Sequence, residues 1–352
     1  MTPSRPFTAP FARRLAATAL AVAALIGPGL PDAAQAAEKL RMATIAPGSS
    51  AYLTMSTMAT IVNRQQDAYE ITVDATGAAT KHMVDLAQGK LDFVMSSPTV
   101  YDAMKTGTFM YQKLSSAPKL AENVRLVFWF PYGTYHFVTY ADDGMSSLED
   151  IRGKKVFLGP PGGGAWNTAR QWIEAQTGMK PGEDYENFKG SWSSAFQAFQ
   201  DRQLDVYAVG GIPPFPQLEQ LAATSRLRLL GPDKAQVEAQ SDAQLAPSRI
   251  PGRSLEMIPA GTYGPNVVNT GDVYSLGSVV GVATRADLDE ETVYAITKAF
   301  WEGAEKMRDS APWLKRITLD YAVSPGGMAL HPGARRYYEE IGVKIPAASL
   351  AN

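Results

Sequence analysis

Two stretches of this chain end a short apolar run in small residues and then open a helix: Ala75-Thr76-Gly77-Ala78-Ala79-Thr80, and Gly159 through Ala165 with Gly162-Gly163-Gly164 inside it. The first-turn N–H groups of a helix have no partner within it, and the helix dipole makes that end positive. Such ends therefore hold carboxylates or phosphates without needing a cationic side chain. Two of them facing each other across a cleft form an anion clamp. Taken singly, glycines of this kind serve tight turns as readily as ligands; one in each half of the chain favours the clamp.

The other reactive residue types point away from catalysis. His82, His136 and His331 lie far apart and in no i, i+4 zinc pattern. Each reads as structural, His82 excepted, because it falls in the first turn after Gly77, where a ligand would sit. No Gly-x-Ser-x-Gly elbow and no Walker lysine loop occurs, and Gly159-Pro160-Pro161-Gly162-Gly163-Gly164 lacks the spacing of a dinucleotide fingerprint. Cysteine is absent, which rules out disulfides, thiolate metal sites and a cysteine nucleophile. The acid pairs Asp142-Asp143 and Glu339-Glu340 read as solvated surface charge. No catalytic residue, metal or cofactor is expected.

The elements that must position the two helix starts alternate short apolar runs with longer amphipathic ones, the signature of a parallel sheet with crossover helices. Leu40 to Ile45 predicts a first strand. Pro47-Gly48-Ser49-Ser50 then turns into a helix near Tyr52, with Leu53, Met55, Met58, Ile61 and Val62 for its buried side. Strand Ile71 to Ala75, helix Thr80 to Gln88 and strand Leu91 to Met95 complete a βαβαβ unit. Open sheets of this kind bind ligands beyond the carboxyl ends of their strands. Aromatic and β-branched runs follow at 124 to 130 and 135 to 140, and then the pattern restarts. Its second series is strand Lys155 to Leu158, helix Trp166 to Gln176, helix Ser194 to Arg202, strand Leu204 to Val209 and helix Pro216 to Ala223. Residues 231 to 272, rich in Pro, Gly, Asn and Gln, give no readable period. Strand Val279 to Thr284 and helix Leu288 to Met307, capped by Asp287, close the series. Two α/β lobes result, with the chain crossing between them more than once: residues 37 to 138 with 276 to 352 as lobe 1, and 139 to 275 as lobe 2.

The first thirty-odd residues belong to neither lobe. Arg5, Arg13 and Arg14 precede an apolar run from Leu15 to Ile26, and Ala34-Gln35-Ala36 has the small-x-small form that signal peptidase reads, so cleavage is expected between Ala36 and Ala37. A run of roughly a dozen apolar residues falls short of the ~20 that span a bilayer. Export to the periplasm follows as the expectation. Removing residues 1–36 takes three Arg and one Asp; the remaining 30 Lys+Arg against 34 Asp+Glu give −4 over 316 residues. A mildly acidic surface with no basic stripe argues against nucleic acid as a partner, and the length suits about two domains.

The chain resembles the TAXI solute receptors of tripartite ATP-independent periplasmic (TRAP) transporters over nearly all of the sequence beyond the leader. The segments that carry the likeness are Leu148-Glu149-Asp150-Ile151-Arg152-Gly153-Lys154-Lys155-Val156 and the glycine loop after it, together with Val209-Gly210-Gly211-Ile212-Pro213. Val293-Tyr294-Ala295-Ile296-Thr297-Lys298-Ala299 and His331-Pro332-Gly333-Ala334-Arg335-Arg336-Tyr337-Tyr338 add to it. The resemblance implies a type II periplasmic-binding-protein fold, two α/β lobes around a ligand cleft, and a monomer that hands a small organic anion to TRAP permease subunits without transforming it. Family ligands include glutamate, related amino acids and dicarboxylates such as 2-oxoglutarate. Matched by position, Ser50 and Tyr52 correspond to the hydroxyl and aromatic positions after the first strand. Ser97, preceded by Ser96, corresponds to the serine after the third strand, and Gly210-Gly211 to the second-lobe loop.

This chain also departs from the family pattern. Gly77-Ala78-Ala79 and His82 stand where Gly-Gly-Ser and an Asn are usual, and Gly162-Gly163-Gly164-Ala165 where Gly-Ser-Gly-Thr is usual. Each hydroxyl lost from a charged ligand forfeits roughly 1.5–3 kcal/mol, while the backbone N–H groups survive. A different, bulkier or more aromatic ligand is expected, with Trp166, Trp192, Tyr132 or His82 available as its wall, although Trp192 reads more readily as core. The expected ligand-binding set is therefore Ser50, Tyr52, Gly77, Ala78, Ala79, His82, Ser96, Ser97, Gly163, Gly164, Ala165, Trp166, Gly210 and Gly211. A sensing module for a signalling partner, or a secreted enzyme on the same fold, are the alternatives; the enzyme would need a nucleophile beside a base, or a metal site, and neither constellation is found.

Overall fold

The computed structural model describes residues 37–47 and 49–350; the leader and its cleavage point lie outside that range. Strand β1 (Glu38–Ala43) buries Leu40 and Met42. Helix α1 (Ser50–Gln65) begins where the Ser49 hydroxyl accepts from Tyr52 N at 3.1 Å. Met55, Met58, Ile61 and Val62 form its buried side. Leu53, expected with them, faces outward and is 42% exposed. Next come β2 (Tyr69–Asp74), α2 (Ala79–Ala87), β3 (Phe93–Ser96) and α3 (Pro98–Thr106), the last a helix the sequence reading left out. Strand β1 lies between β2 and β3 and is parallel to both, pairing Leu40 with Ile71 and Met42 with Phe93, as the βαβαβ reading requires.

After the short α4 (Ala117–Ala121), the two expected aromatic runs prove to be one 17-residue strand, β4 (Val124–Tyr140). Pro131 and Gly133 look like breakers in sequence. Here Pro131 pairs opposite Val279, next to a bulge, and Gly133 adopts a φ of 109°, where β4 runs so close to the Gly211 backbone that no side chain fits. The second series follows as β5 (Lys155–Phe157), α5 (Gly164–Thr177), β6 (Glu186–Asn187), α6 (Trp192–Gln200), β7 (Val206–Gly211), α7 (Pro216–Ala222) and β8 (Leu227–Leu229). Strand β5 is parallel to both β6 and β7. The unreadable stretch holds α8 (Lys234–Glu238), α9 (Asp242–Leu245) and β9 (Arg253–Ile258).

Strand β10 (Val273–Arg285) runs antiparallel to β4 from Gly277 opposite Thr134 to Arg285 opposite Val124. These two long strands are the spine of one mixed α/β sheet. The sheet order is β2-β1-β3-β10-β4-β7-β5-β6. The partners change along the spine. Strand β10 takes β9 over Val273–Ser278 and β3 over Gly281–Thr284, while β4 takes β7 and β8 from Thr134 onward. Both β4 and β10 thus pair with different strands at their two ends.

Helix α10 (Glu290–Met307) starts two residues later than expected, because Asp289 rather than Asp287 caps it and accepts from Thr292 N at 2.9 Å. Its Phe300 stacks on Phe128 of β4 with ring centroids 4.7 Å apart. The short α11 (Leu319–Ala322) and α12 (Pro332–Glu340) close the fold, with His331 as the cap of α12. Its Nδ1 accepts from Gly333 N at 3.2 Å and its Nε2 lies 3.0 Å from Leu288 O, so this histidine is structural.

Candidate functional site

A cavity of about 740 Å³, its mouth included, opens beyond the carboxyl ends of β3 and β5, where three helix starts converge. Gly77, Ala78 and Ala79 bring the tip of α2, Ser97 to Val100 the tip of α3, and Gly163, Gly164 and Ala165 the tip of α5. Ser97 caps α3 by accepting from Val100 N at 3.2 Å. No side chain caps α2, entered through Ala78, or α5, entered through Gly163. Without a capping hydroxyl these two positive ends stay open. The tips of α3 and α5 also touch: a Cβ on Gly164 would lie 3.0 Å from Val100 Cγ2 and 3.6 Å from Ser97 Oγ.

Arg253, at the start of β9, also lines the cavity. Its Nη1 donates to Gln171 Oε1 at 2.7 Å, and its Nη2 to Thr168 Oγ1 at 2.9 Å and Thr99 Oγ1 at 3.4 Å. Thr168 passes its own proton to the Gly164 carbonyl at 2.9 Å, tying the guanidinium to the α5 tip. The arginine thus bridges α3 and α5. Its Nε is buried without a partner, and among the described residues no carboxylate pairs with it. Burial holds the group below its ordinary range; nearby Tyr135 opposes this and Arg170 adds to it. The nearest acid along the strand, Glu256, is engaged with Thr134 at 2.8 Å and Ser254 at 3.0 Å.

The remaining wall is largely apolar: Ile45, Met95, Val100, Tyr132, Trp192, Val279 and Val280. Tyr132 reaches it by lying over Gly210, where a Cβ would come within 2.1 Å of its Cε1. A second cavity of about 330 Å³ shares Tyr132 and Trp192 and adds Ser49, Ser193, Tyr207 and Gln217. The two rings partition one crevice into two compartments.

Of the residues expected from the sequence, Gly77, Ala78, Ala79, Ser97, Gly163, Gly164 and Ala165 line the main cavity. The others do not. Gly210 and Gly211 lie inside β7 rather than in a loop, and their bare backbones admit the rings of Tyr132 and Phe215. His82 is buried beneath the turn, where a Cβ on Gly77 would meet its Nε2 at 2.9 Å. Ser50 is buried in the first turn of α1, capped by its neighbour Ser49, with Tyr52 half-buried on the same turn. Ser96 is buried within β3. Trp166 turns away to donate from Nε1 to Asn187 Oδ1 at 3.3 Å, whereas Trp192 packs edge-on against Phe157 and lines both cavities. Arg253, Thr99, Thr168, Tyr135 and Ser278 were missed. The one signal available for Arg253 was a charged residue directly after the Pro251-Gly252 turn.

Strand alternation sends Tyr135 toward the cavity and His136 to the opposite face. There Phe215 N donates to Tyr263 Oη at 3.0 Å, leaving that hydroxyl's proton for His136 Nε2 at 2.6 Å. The imidazole is neutral, and burial pushes its pKa down to about 4. An unfolded histidine titrates near 6.5. Between those values the unfolded chain takes a proton the folded one refuses, so this stabilisation is complete above about 6.5 and is lost as pH falls toward 4. The loss is on the order of 3 kcal/mol. Burial also holds His82 and His331 low, but they remain in a His136→Phe variant. Urea unfolding at pH 7 and pH 4.5 should show a smaller acid loss for that variant than for the unsubstituted protein; equal losses would remove His136 from the balance.

The model of the NMT1-like family matches residues 42–342. Among solved structures, the alkanesulfonate-binding protein SsuA from Xanthomonas axonopodis pv. citri, bound to MOPS, is 16% identical, covering 86% of this chain and 85% of its own, with a TM-score of 0.48. A TRAP periplasmic solute binding protein from Chromohalobacter salexigens with bound D-glucuronate is 12% identical over 87% of each chain, TM-score 0.44. Another, from Sulfitobacter sp. with bound β-D-galacturonate, is 12% identical over 86% of this chain and 94% of its own, TM-score 0.45.

Proposed function

The chain belongs to the NMT1-like family, and from that premise we propose that it is a periplasmic receptor that captures a small organic anion between its lobes and delivers it, unchanged, to a TRAP-type permease. The observation that carries this reading is Arg253. Arg253 is half-buried, its Nε fully shielded and its guanidinium without a counter-charge, an arrangement that an external anion completes. Two uncapped helix starts beside it add positive potential at the same place.

Because Arg253 holds Thr99 on one side and Thr168 on the other, an anion bound to it favours the closed arrangement of the lobes. We take residues 37 to 138 with 276 to 352 as lobe 1 and 139 to 275 as lobe 2; the change of partners along β4 and β10 supports that division. The finer TAXI assignment rests on the quoted segments, and export on the leader, through which a monomer reaches the periplasm.

A thermal-shift screen over organic acids tests the reading. A ligand at a hundred times its dissociation constant stabilises by about 2.7 kcal/mol, so a bound acid should raise the melting midpoint by several degrees. Small-angle scattering should show compaction with the same compound. A flat screen, or an unchanged radius of gyration with a bound acid, would count against it.

A further inference from the structure

We propose that the occupant is an amine-free monoanion with an apolar body of about the size of an aromatic ring, a proposal that rests on the receptor reading above. The lining decides this by charge. Among the described residues, Arg253 is the sole charged one that lines the main cavity; no described Asp or Glu is there to meet an ammonium group. The ammonium of an α-amino acid would be taken out of water with no counter-charge and set beside the half-buried guanidinium of Arg253, unfavourable on both grounds. One guanidinium and the open tips of α2 and α5 match a single carboxylate or sulfonate. A second anionic group would find no further cation in the lining, only hydroxyls and apolar side chains.

The same wall defines the body. Apolar side chains on several elements enclose the space, and Tyr132 and Trp192 supply two ring surfaces, the geometry that accepts a flat apolar group. Trp192 also separates this space from the neighbouring compartment, so it limits the length of the occupant.

Two matched pairs in calorimetry test the proposal on the unaltered protein. 3-Phenylpropanoate and phenylalanine differ by the amine; pentanoate and glutarate differ by the second charge. The expected result is that 3-phenylpropanoate binds at least 100-fold more tightly than phenylalanine, and pentanoate more tightly than glutarate. A Trp192→Ala variant should gain affinity for 2-naphthylacetate relative to 3-phenylpropanoate. If phenylalanine or glutarate binds as well as its partner, the ligand class is wrong while the receptor reading stands. If none of the four binds and no organic acid shifts the melting midpoint, the receptor reading falls and takes the ligand class with it.

Discussion

Arg253→Gln should lower affinity for the captured anion by roughly 30-fold or more, while leaving the empty protein about as stable as before. Removing one partner of a buried, hydrogen-bonded charge pair costs about 2–5 kcal/mol in binding, which corresponds to a loss of roughly 30- to several-thousand-fold. The empty protein behaves differently. Its guanidinium is half-buried with no carboxylate beside it, so a shorter, neutral amide relieves desolvation, and this offsets the lost hydrogen bonds to Thr168 and Thr99. Calorimetry for affinity and urea unfolding for stability separate these effects. A variant that binds as tightly as the unsubstituted protein would remove Arg253 from the site. One that binds weakly because it has unfolded would make the arginine structural.

Gly133→Ala should cost more than about 3 kcal/mol of stability and reduce ligand affinity with it. A Cβ at that position would lie 2.2 Å from the Gly211 carbonyl carbon, 2.3 Å from its oxygen and 2.4 Å from Ile212 N, all of them backbone atoms that no rotamer change can move. Its φ of 109° is itself strained for an L side chain. The methyl group can enter only if β4 separates from β7, and that displaces Tyr132 and Tyr135 from the cavity they line. Gly144→Ala is the control: its φ is 76° but nothing lies within 4 Å of the added carbon. It should cost about 1 kcal/mol, the strain of the backbone alone. Equal costs for the two variants in urea unfolding would show that the approach of β4 to β7 is looser than described.

Much of the scaffold was legible because its signals are local. The β1-α1-β2-α2-β3 unit followed from period and capping residues alone, and the glycine and alanine runs at Gly77 and Gly163 marked two of the three helix starts that meet at the cavity. The third, α3, was hidden behind Pro98, which reads as a break although proline suits the first turn of a helix. What failed depended on pairing between distant strands. Gly210-Gly211 reads as a loop until β7 is placed against β4, when the same two residues become the space into which Tyr132 and Phe215 fit.

Arg253 shows the limit most clearly. It lies 154 residues from Thr99 and 85 from Thr168, and only the antiparallel pairing of β9 with β10 carries it to the cavity. The two tryptophans make the same point on a smaller scale, since both stand in the first turn of a helix. Trp166 finds a hydrogen-bond partner in Asn187 away from the cavity, while Trp192, the more core-like of the two by sequence, becomes wall. Which way each ring turns is set by β6 and by Phe157, not by its neighbours in the chain.

A crystal structure of the protein with the tightest-binding acid from the screen is the most direct test. The anionic group should lie within about 3 Å of a guanidinium nitrogen of Arg253, with its oxygens directed at the starts of α2 and α5. An acid bound elsewhere, or bound in this crevice with its charge turned away from Arg253, would contradict it.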